Sequence, residues 1–289
     1  MKVSAFTFIR NAIKYDYPIV EAIQSILPLC DEVVVAVGNS DDDTLQLIQN
    51  IDPKIRIIET IWDDNLREGG RVLAVETDKA FAAISNDSDW AFYIQGDEVI
   101  HEKYHSNILS AMYKYKDDLK VEGLLFNYKH FYGSYDYIGS SLSWYLDEIR
   151  IVRNRNDIFS YRDAQGFRKL PNDKLNVKKI DAFVYHYGWV KSPEVMQKKQ
   201  ETFHKMWHDD KWLEDNVIKA VEFDYESHID QLTFFSETHP LVMQKRISEK
   251  NWKFEYDISY NKIKLKDRFK NILRKYFMID IRYKNYNKI

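Results

Sequence analysis

Two adjacent carboxylates, Asp97 and Glu98, follow Gly96 at the end of a short apolar and aromatic run in the stretch WAFYIQGDEVIH, residues 90–101. Residues 90–94 have the length and composition of a buried strand, and the glycine breaks the run. The acids therefore stand just past a strand's carboxyl end, where the diverging loops of an open α/β sheet leave a crevice for ligands. A carboxylate in that place can hold a hard divalent cation, and the cation a diphosphate. The same residues also read as an ordinary acidic turn.

Other side chains could take part. His186 ends a predicted strand at 182–185 and opens HYGW, residues 186–189. A lone histidine there serves structure more often than chemistry, but it shares its pattern with the acid-bearing strand end. His204 and His208 fall at i and i+4 beside Asp209, the spacing of a metal pair on a helix. HKMWH lacks the glutamate of HExxH, so a zinc protease is not supported and a solvated face is the better reading. His101, His105, His130, His228 and His239 are scattered.

The elements that must position these groups are legible early in the chain. Runs at 3–9, 32–37 and 55–59 predict strands, the second nearly pure β-branched EVVVAV and so buried in parallel fashion. Helices are predicted at 17–29, over Leu45, Leu47, Ile48 and Ile51, and at 67–84 through the glycine pair of REGGR. Strand and helix alternate up to the Trp90 strand, which predicts a mainly parallel sheet with right-handed crossovers. No GxGxxG follows the first strand and no GxxxxGK[ST] occurs, so dinucleotide and P-loop sites are not supported. Beyond a helix at 105–115 the character changes to strands at 123–132 and 148–152 joined by an aromatic loop. Ser192 and Pro193 then give the N-cap and first position of a helix expected to run past Trp207.

Composition bounds the rest. With 289 residues, 45% hydrophobic and 15% aromatic, the chain folds around a large core. A net charge of −3 provides no global field for nucleic acid. One cysteine, Cys30, excludes an intrachain disulfide and fits a reducing compartment. The N-terminus has no apolar run long enough for a signal peptide, so a cytoplasmic location is expected. Residues 262–289 carry ten Lys or Arg against two Asp, with Leu265, Phe269, Ile272, Leu273, Tyr276 and Phe277 in one helical stripe. Such a basic amphipathic helix suits the anionic inner face of a membrane, though a terminal helix packed on its own domain gives the same pattern.

In order and spacing, FIRN (8–11), VGNSDDDT (37–44), REGGR (67–71), WAFYIQGDEVIH, DAQGFR (163–168) and HYGW together resemble the nucleotide-sugar glycosyltransferases of family 2 and their relatives with the GT-A fold. The likeness covers roughly residues 2–199. It implies a GT-A-like mixed, mainly parallel sheet flanked by helices, a nucleotide-sugar-binding and catalytic domain at 1–200 with its acceptor side at about 120–200, and a helical C-terminal extension at 201–289. It implies that Asn11, Asn39, Ser40 and Asp41 form the nucleoside pocket and that Arg71 helps hold the nucleotide. Asp97 resembles the second acid of the DxD signature, the one that binds Mn²⁺ or Mg²⁺ across the diphosphate. Gln95 replaces the first acid, with Gly96 between, so fewer carboxylates remain for the metal. His186 resembles a late metal ligand, and Asp163 the base that deprotonates the acceptor, with Asp147 or Glu148 as competitors.

The function implied is transfer of a sugar from a UDP-linked donor to the hydroxyl of a glycan or lipid-linked acceptor, inverting and metal-assisted. Two other readings stay open. One is a non-catalytic carbohydrate- or membrane-surface-binding protein on the same scaffold, which Gln95 favours. The other is a nucleotidyltransferase, which would release pyrophosphate.

Overall fold

In the computed structural model, which describes residues 1–216, 220–261 and 283–289, the predicted alternation is present. It runs β1 (Val3–Ile9), α1 (Ile19–Ile26), β2 (Glu32–Gly38), α2 (Thr44–Gln49), β3 (Ile55–Thr60), α3 (Arg71–Ala82) and β4 (Trp90–Tyr93). Next come β5 (Glu98–Ile100), α4 (His105–Tyr115), β6 (Gly123–Tyr132), β7 (Tyr137–Gly139), β8 (Asp147–Arg153), β9 (Ile158–Tyr161), β10 (Gly166–Lys169) and the long β11 (Asp173–Trp189). The C-terminal part carries α5 (Pro193–His204), α6 (Asp210–Asn216), β12 (Leu232–Phe234), α7 (Gln244–Ser248) and β13 (Tyr286–Lys288).

The first four strands are parallel in the order β3-β2-β1-β4; β8 then joins β4 antiparallel, and β6 and β11 extend the sheet. This is the mixed, mainly parallel α/β sheet that the sequence implies. Side chains alternate between its two faces as the pleat requires. Val33, Val35 and Val37 of β2 enter one core with Trp90, Phe92 and Ile94, and Val34 and Ala36 enter the other with Phe6, Ala91 and Tyr93. The helices cover both faces: α1 lies in the first core and α3 in the second. Fully burying each large apolar side chain contributes about 1.5–3 kcal/mol. The order reverses at β1, and the crevice that such a reversal leaves at the strands' carboxyl ends is where the acids stand.

Three boundaries differ from the sequence reading, each for a local reason. Helix α3 begins at Arg71 because Gly69 and Gly70 have φ of 57° and 70°, outside the right-handed helical region. Helix α5 stops at His204 because the chain turns back, and the Met206 carbonyl accepts from Gly70 N at 3.1 Å. The short strand expected at 182–185 is the end of a 17-residue one, pleated between β6 and β5. Ser192 caps α5 as expected, its side chain accepting from Val195 N. The C-terminal extension adds strands β12 and β13 to its short helices. The basic stripe at 265–277 lies outside the described residues. Among the described residues no helix is long and apolar enough to cross a membrane.

Candidate active site

At the carboxyl edge of the sheet lies a cavity of about 1300 Å³. Its wall includes Asn11, Asp41, Gln95, Gly96, Asp97, Asp163 and His186, contributed by chain segments up to 175 residues apart in sequence. The sheet brings them together. Asp97 follows β4, and its carbonyl accepts from Tyr187 N at 2.8 Å, so the end of β11 is clasped to the acid loop. The β5–β11 pairing, His186 opposite Glu98, sets the register.

As a result His186 Nε2 lies 3.7 Å from one oxygen of Asp97, and Lys199 Nζ lies 3.4 Å from the other. Lys199, from α5, also donates to the Gly188 carbonyl at 2.9 Å and sits 4.9 Å from the Tyr17 ring centroid. Burial alone would push the Asp97 carboxyl up, but His186, Lys199 and Lys191 together hold it below the usual range. Burial lowers Lys199, with Asp97 opposing, and lowers Lys191 to about 7. His186 is lowered by burial against the pull of Asp97, and His130 is lowered well below its ordinary value by burial and then by His186. The two imidazoles are thus biased toward their neutral forms and Asp97 toward its ionised form.

Gly188 keeps the space between Asp97 and His186 open: a Cβ there would lie 2.7 Å from Asp97 Oδ2 and 2.7 Å from His186 Nε2. A carboxylate oxygen and an imidazole nitrogen facing one small cradle fit a divalent cation of the Mn²⁺ type. Among the described residues no third His, Cys, Asp or Glu joins them, so any further ligands would come from the diphosphate and water.

Glu98, the other half of the acidic pair, is spent on structure. It is fully buried and forked to Arg150, with Nε to Oε2 at 2.7 Å and Nη2 to Oε1 at 2.6 Å, and it accepts from Tyr128 Oη at 2.7 Å. Arg150 in turn donates to the Gln165 carbonyl at 2.9 Å. Gln95 donates from Nε2 to the Ala164 carbonyl at 3.0 Å. These two bonds hold the turn that carries Asp163, whose neighbours Arg162 and Ala164 both have left-handed φ, 57° and 63°. Such a conformation costs non-glycine residues of order 1–3 kcal/mol and persists where the surroundings over-determine it. Asp163 itself is raised by burial, with its own loop N–H groups and Arg162 partly offsetting.

Of the residues expected to form a nucleoside pocket, Asn11, Ser40 and Asp41 are joined to one another. Asn11 N donates to Ser40 Oγ at 2.9 Å, and Asn11 Oδ1 accepts from Asp41 N at 2.9 Å. Asn39 Oδ1 accepts from Trp62 N at 3.1 Å, and Asp41 pairs with Lys14. Of these, Asn11 and Asp41 line the cavity; Asn39 and Ser40 stand behind it. Arg71 is exposed at the start of α3 and does not line the cavity. In REGGR it is Arg67 that lines the cavity, while Gly70 packs close to the Asp163 turn, where a Cβ would lie 2.7 Å from Asp163 Cβ and 2.6 Å from the Trp207 ring. Asp147 pairs with Lys179 at 2.5 Å. Glu148 is buried and raised to about 8, chiefly by desolvation; its Oε1 accepts from Gln165 and its Oε2 faces Gly166. His204 and His208 line the outer cavity, and the His208 ring is stacked 3.5 Å from Trp212.

Sequence reasoning missed Lys199 and His130. Lys199 lies seven residues into α5 and His130 two residues before the end of β6, each with nothing local to mark it. Only the fold brings them to Asp97 and His186.

No family model and no curated protein matches the chain. Among solved structures, S. aureus TarS aligns over 70% of this chain at 17% identity with a TM-score of 0.40, and this chain spans 39% of its length. The TarS 1–349 complex with UDP-GlcNAc aligns over 70% of this chain and 65% of its own at 16% identity and a TM-score of 0.38. Glucosyl-3-phosphoglycerate synthase from Mycobacterium tuberculosis, in complex with Mn²⁺, UDP and glucosyl-3-phosphoglycerate, aligns over 45% of this chain and 44% of its own at 21% identity, with a TM-score of 0.29.

Proposed function

We propose that this chain is a glycosyltransferase that moves a sugar from a nucleotide diphosphate donor, UDP-linked, to an acceptor hydroxyl with inversion. The observation that carries the reading is the placement of Asp97, His186 and Lys199 against one another in a cavity at the sheet's carboxyl edge, with a second, half-buried acid, Asp163, lining the same cavity.

Displacement of a nucleoside diphosphate builds negative charge on the leaving group, and a site catalyses it by stabilising that charge where it develops. Asp97 and His186 would hold Mn²⁺ or Mg²⁺, which when bound supplies charge neutralisation at the diphosphate without proton transfer. Lys199 adds a fixed ammonium beside the same carboxylate. Asp163 takes the acceptor's proton: desolvation makes it a stronger base than a free aspartate, and the double left-handed turn fixes its direction. Asn11 and Asp41 receive the nucleoside, with Asn39 and Ser40 bracing them. Calorimetry with UDP and Mn²⁺ tests the reading. Wild type should bind, Asp97→Ala should lose the metal-dependent part, and Asp163→Asn should bind normally with turnover reduced roughly 100-fold or more. Absence of UDP binding by wild type overturns it.

A second reading, a non-catalytic carbohydrate-binding protein, is favoured by Gln95, which holds a loop and adds no acid. Release of UDP from a donor sugar separates the two, since a binding module should release none. The division at residue 200, the cytoplasmic location and the contact of residues 262–289 with an anionic inner-leaflet surface belong to the same proposal. Replacing the basic residues of 262–289 by Gln should abolish binding to phosphatidylserine vesicles; unchanged binding removes the membrane contact.

A further inference from the structure

His130 is locked as well as buried. Its ring is stacked between Tyr128 at 5.3 Å and Trp144 at 4.9 Å, with Tyr145 edge-on at 4.4 Å, so it has one available orientation. Its Nε2 lies 2.8 Å from the Tyr145 carbonyl, and a carbonyl only accepts, so that nitrogen carries the proton. Buried among three aromatic rings with no acid in contact, a charged imidazole would be uncompensated, so the ring is neutral and has a single N–H. His130 Nδ1 is therefore a bare acceptor, and it lies 3.1 Å from His186 Nδ1. The proton of that bond belongs to His186, which leaves His186 Nε2 with a lone pair turned toward Asp97 Oδ1. Two lone pairs thus face one another across the space beside Gly188.

We propose that His130 is a positioning residue that holds His186 as its Nδ1–H tautomer, so that the bare Nε2 and Asp97 form a two-donor cation seat before any ligand arrives. The cation part rests on the reading of Asp97 and His186 given above; the tautomer does not. The device is the usual one by which an outer hydrogen bond fixes which nitrogen of a histidine is free to ligate, and losing it weakens metal binding by about 10- to 100-fold. His130 differs from the common carboxylate or carbonyl partner in relaying the polarity of a carbonyl through a second imidazole.

The full chain labelled with ¹⁵N-histidine, free of metal at neutral pH, provides the test, with His186 assigned through His186→Gln. Long-range ¹H–¹⁵N correlation should show His186 as the Nδ1–H form. An Nε2–H form or an imidazolium overturns the proposal. His130→Phe keeps a packed ring but offers no acceptor, so His186 should change its tautomer population and Mn²⁺ affinity in the presence of UDP should fall 10-fold or more. His130→Asn returns an acceptor oxygen near the Nδ1 position and should recover most of both. If Phe and Asn are equally impaired, packing is the cause and the proposal fails. If wild type shows the expected tautomer, lost in His130→Phe, yet binds no Mn²⁺, the relay stands and the metal reading falls.

Discussion

Gln95 donates from its side-chain nitrogen to the backbone carbonyl of Ala164, 3.0 Å away, and so ties the end of β4 to the turn that carries Asp163. A carboxylate at this position would oppose a carbonyl, acceptor against acceptor. The amide is thus the residue type the turn requires, and the chain carries a structural donor at the position where the resemblance implies an acid.

Replacing Gln95 by Asp is therefore expected to harm the protein without restoring a metal ligand. A lost hydrogen bond that leaves a partner unsatisfied costs about 1–3 kcal/mol. Urea unfolding should show a loss in that range, and UDP titration no gain in Mn²⁺ affinity. Equal stability of the two proteins would show that the Ala164 contact contributes nothing.

Lys199→Met leaves Asp97 without its ammonium. Removing one partner of a buried charge pair typically costs 3–5 kcal/mol, and a loss of roughly 3 kcal/mol is expected at pH 7. The folded carboxyl is depressed below its unfolded value, so its pairing contributes stability above about pH 4 and loses it as pH falls through the folded value. The gap between wild type and variant should narrow below pH 4. A gap independent of pH would assign the loss to packing against Tyr17.

Glu148 predicts the opposite slope. Its folded carboxyl is raised to about 8, so between about pH 4.3 and 8 the folded state holds a proton that the unfolded state has released. Its contribution to stability is complete below pH 4.3 and falls as pH rises through 8. Glu148→Gln keeps a neutral side chain throughout and should be more stable than wild type at pH 8 and close to it at pH 5. Chemical denaturation at both values checks this, and an equal difference at the two would refute it.

Gly188→Ala puts a methyl group into the space beside Asp97 and His186, 2.7 Å from each. Overpacking of this kind costs typically 1–3 kcal/mol. The expected signature is loss of Mn²⁺-dependent UDP binding out of proportion to the change in melting temperature. Retention of Mn²⁺ binding would mean that the seat lies elsewhere on the wall.

The first half of the fold was legible because buried strands take short β-branched or aromatic runs, and EVVVAV is the one kind and WAFY the other. Asp97 was legible because a strand end in such a sheet faces the crevice. The partners of Asp97 were not. Lys199 is one lysine of a polar helix and His130 one histidine of an aromatic strand; their meaning arises from contacts across 102 and 56 residues of sequence. In REGGR the spacing alone could not say which basic residue faces the cavity: Arg71 starts α3 at the surface, Arg67 lines the cavity, and Gly70 leaves room for the Asp163 turn.

Strand β11 pairs with β6, β5, β10 and β13, and it delivers both His186 and Gly188. It bulges against β6 on either side of Phe183–His186, but that stretch keeps continuous register with β6 while Val184–His186 pairs with β5 as well. One extra residue between Phe183 and His186 would send the imidazole to the opposite face while breaking ladders on either side. Length variation should instead be tolerated at the exposed turn of residues 170–172, which makes that turn a suitable place for an epitope or a fluorophore.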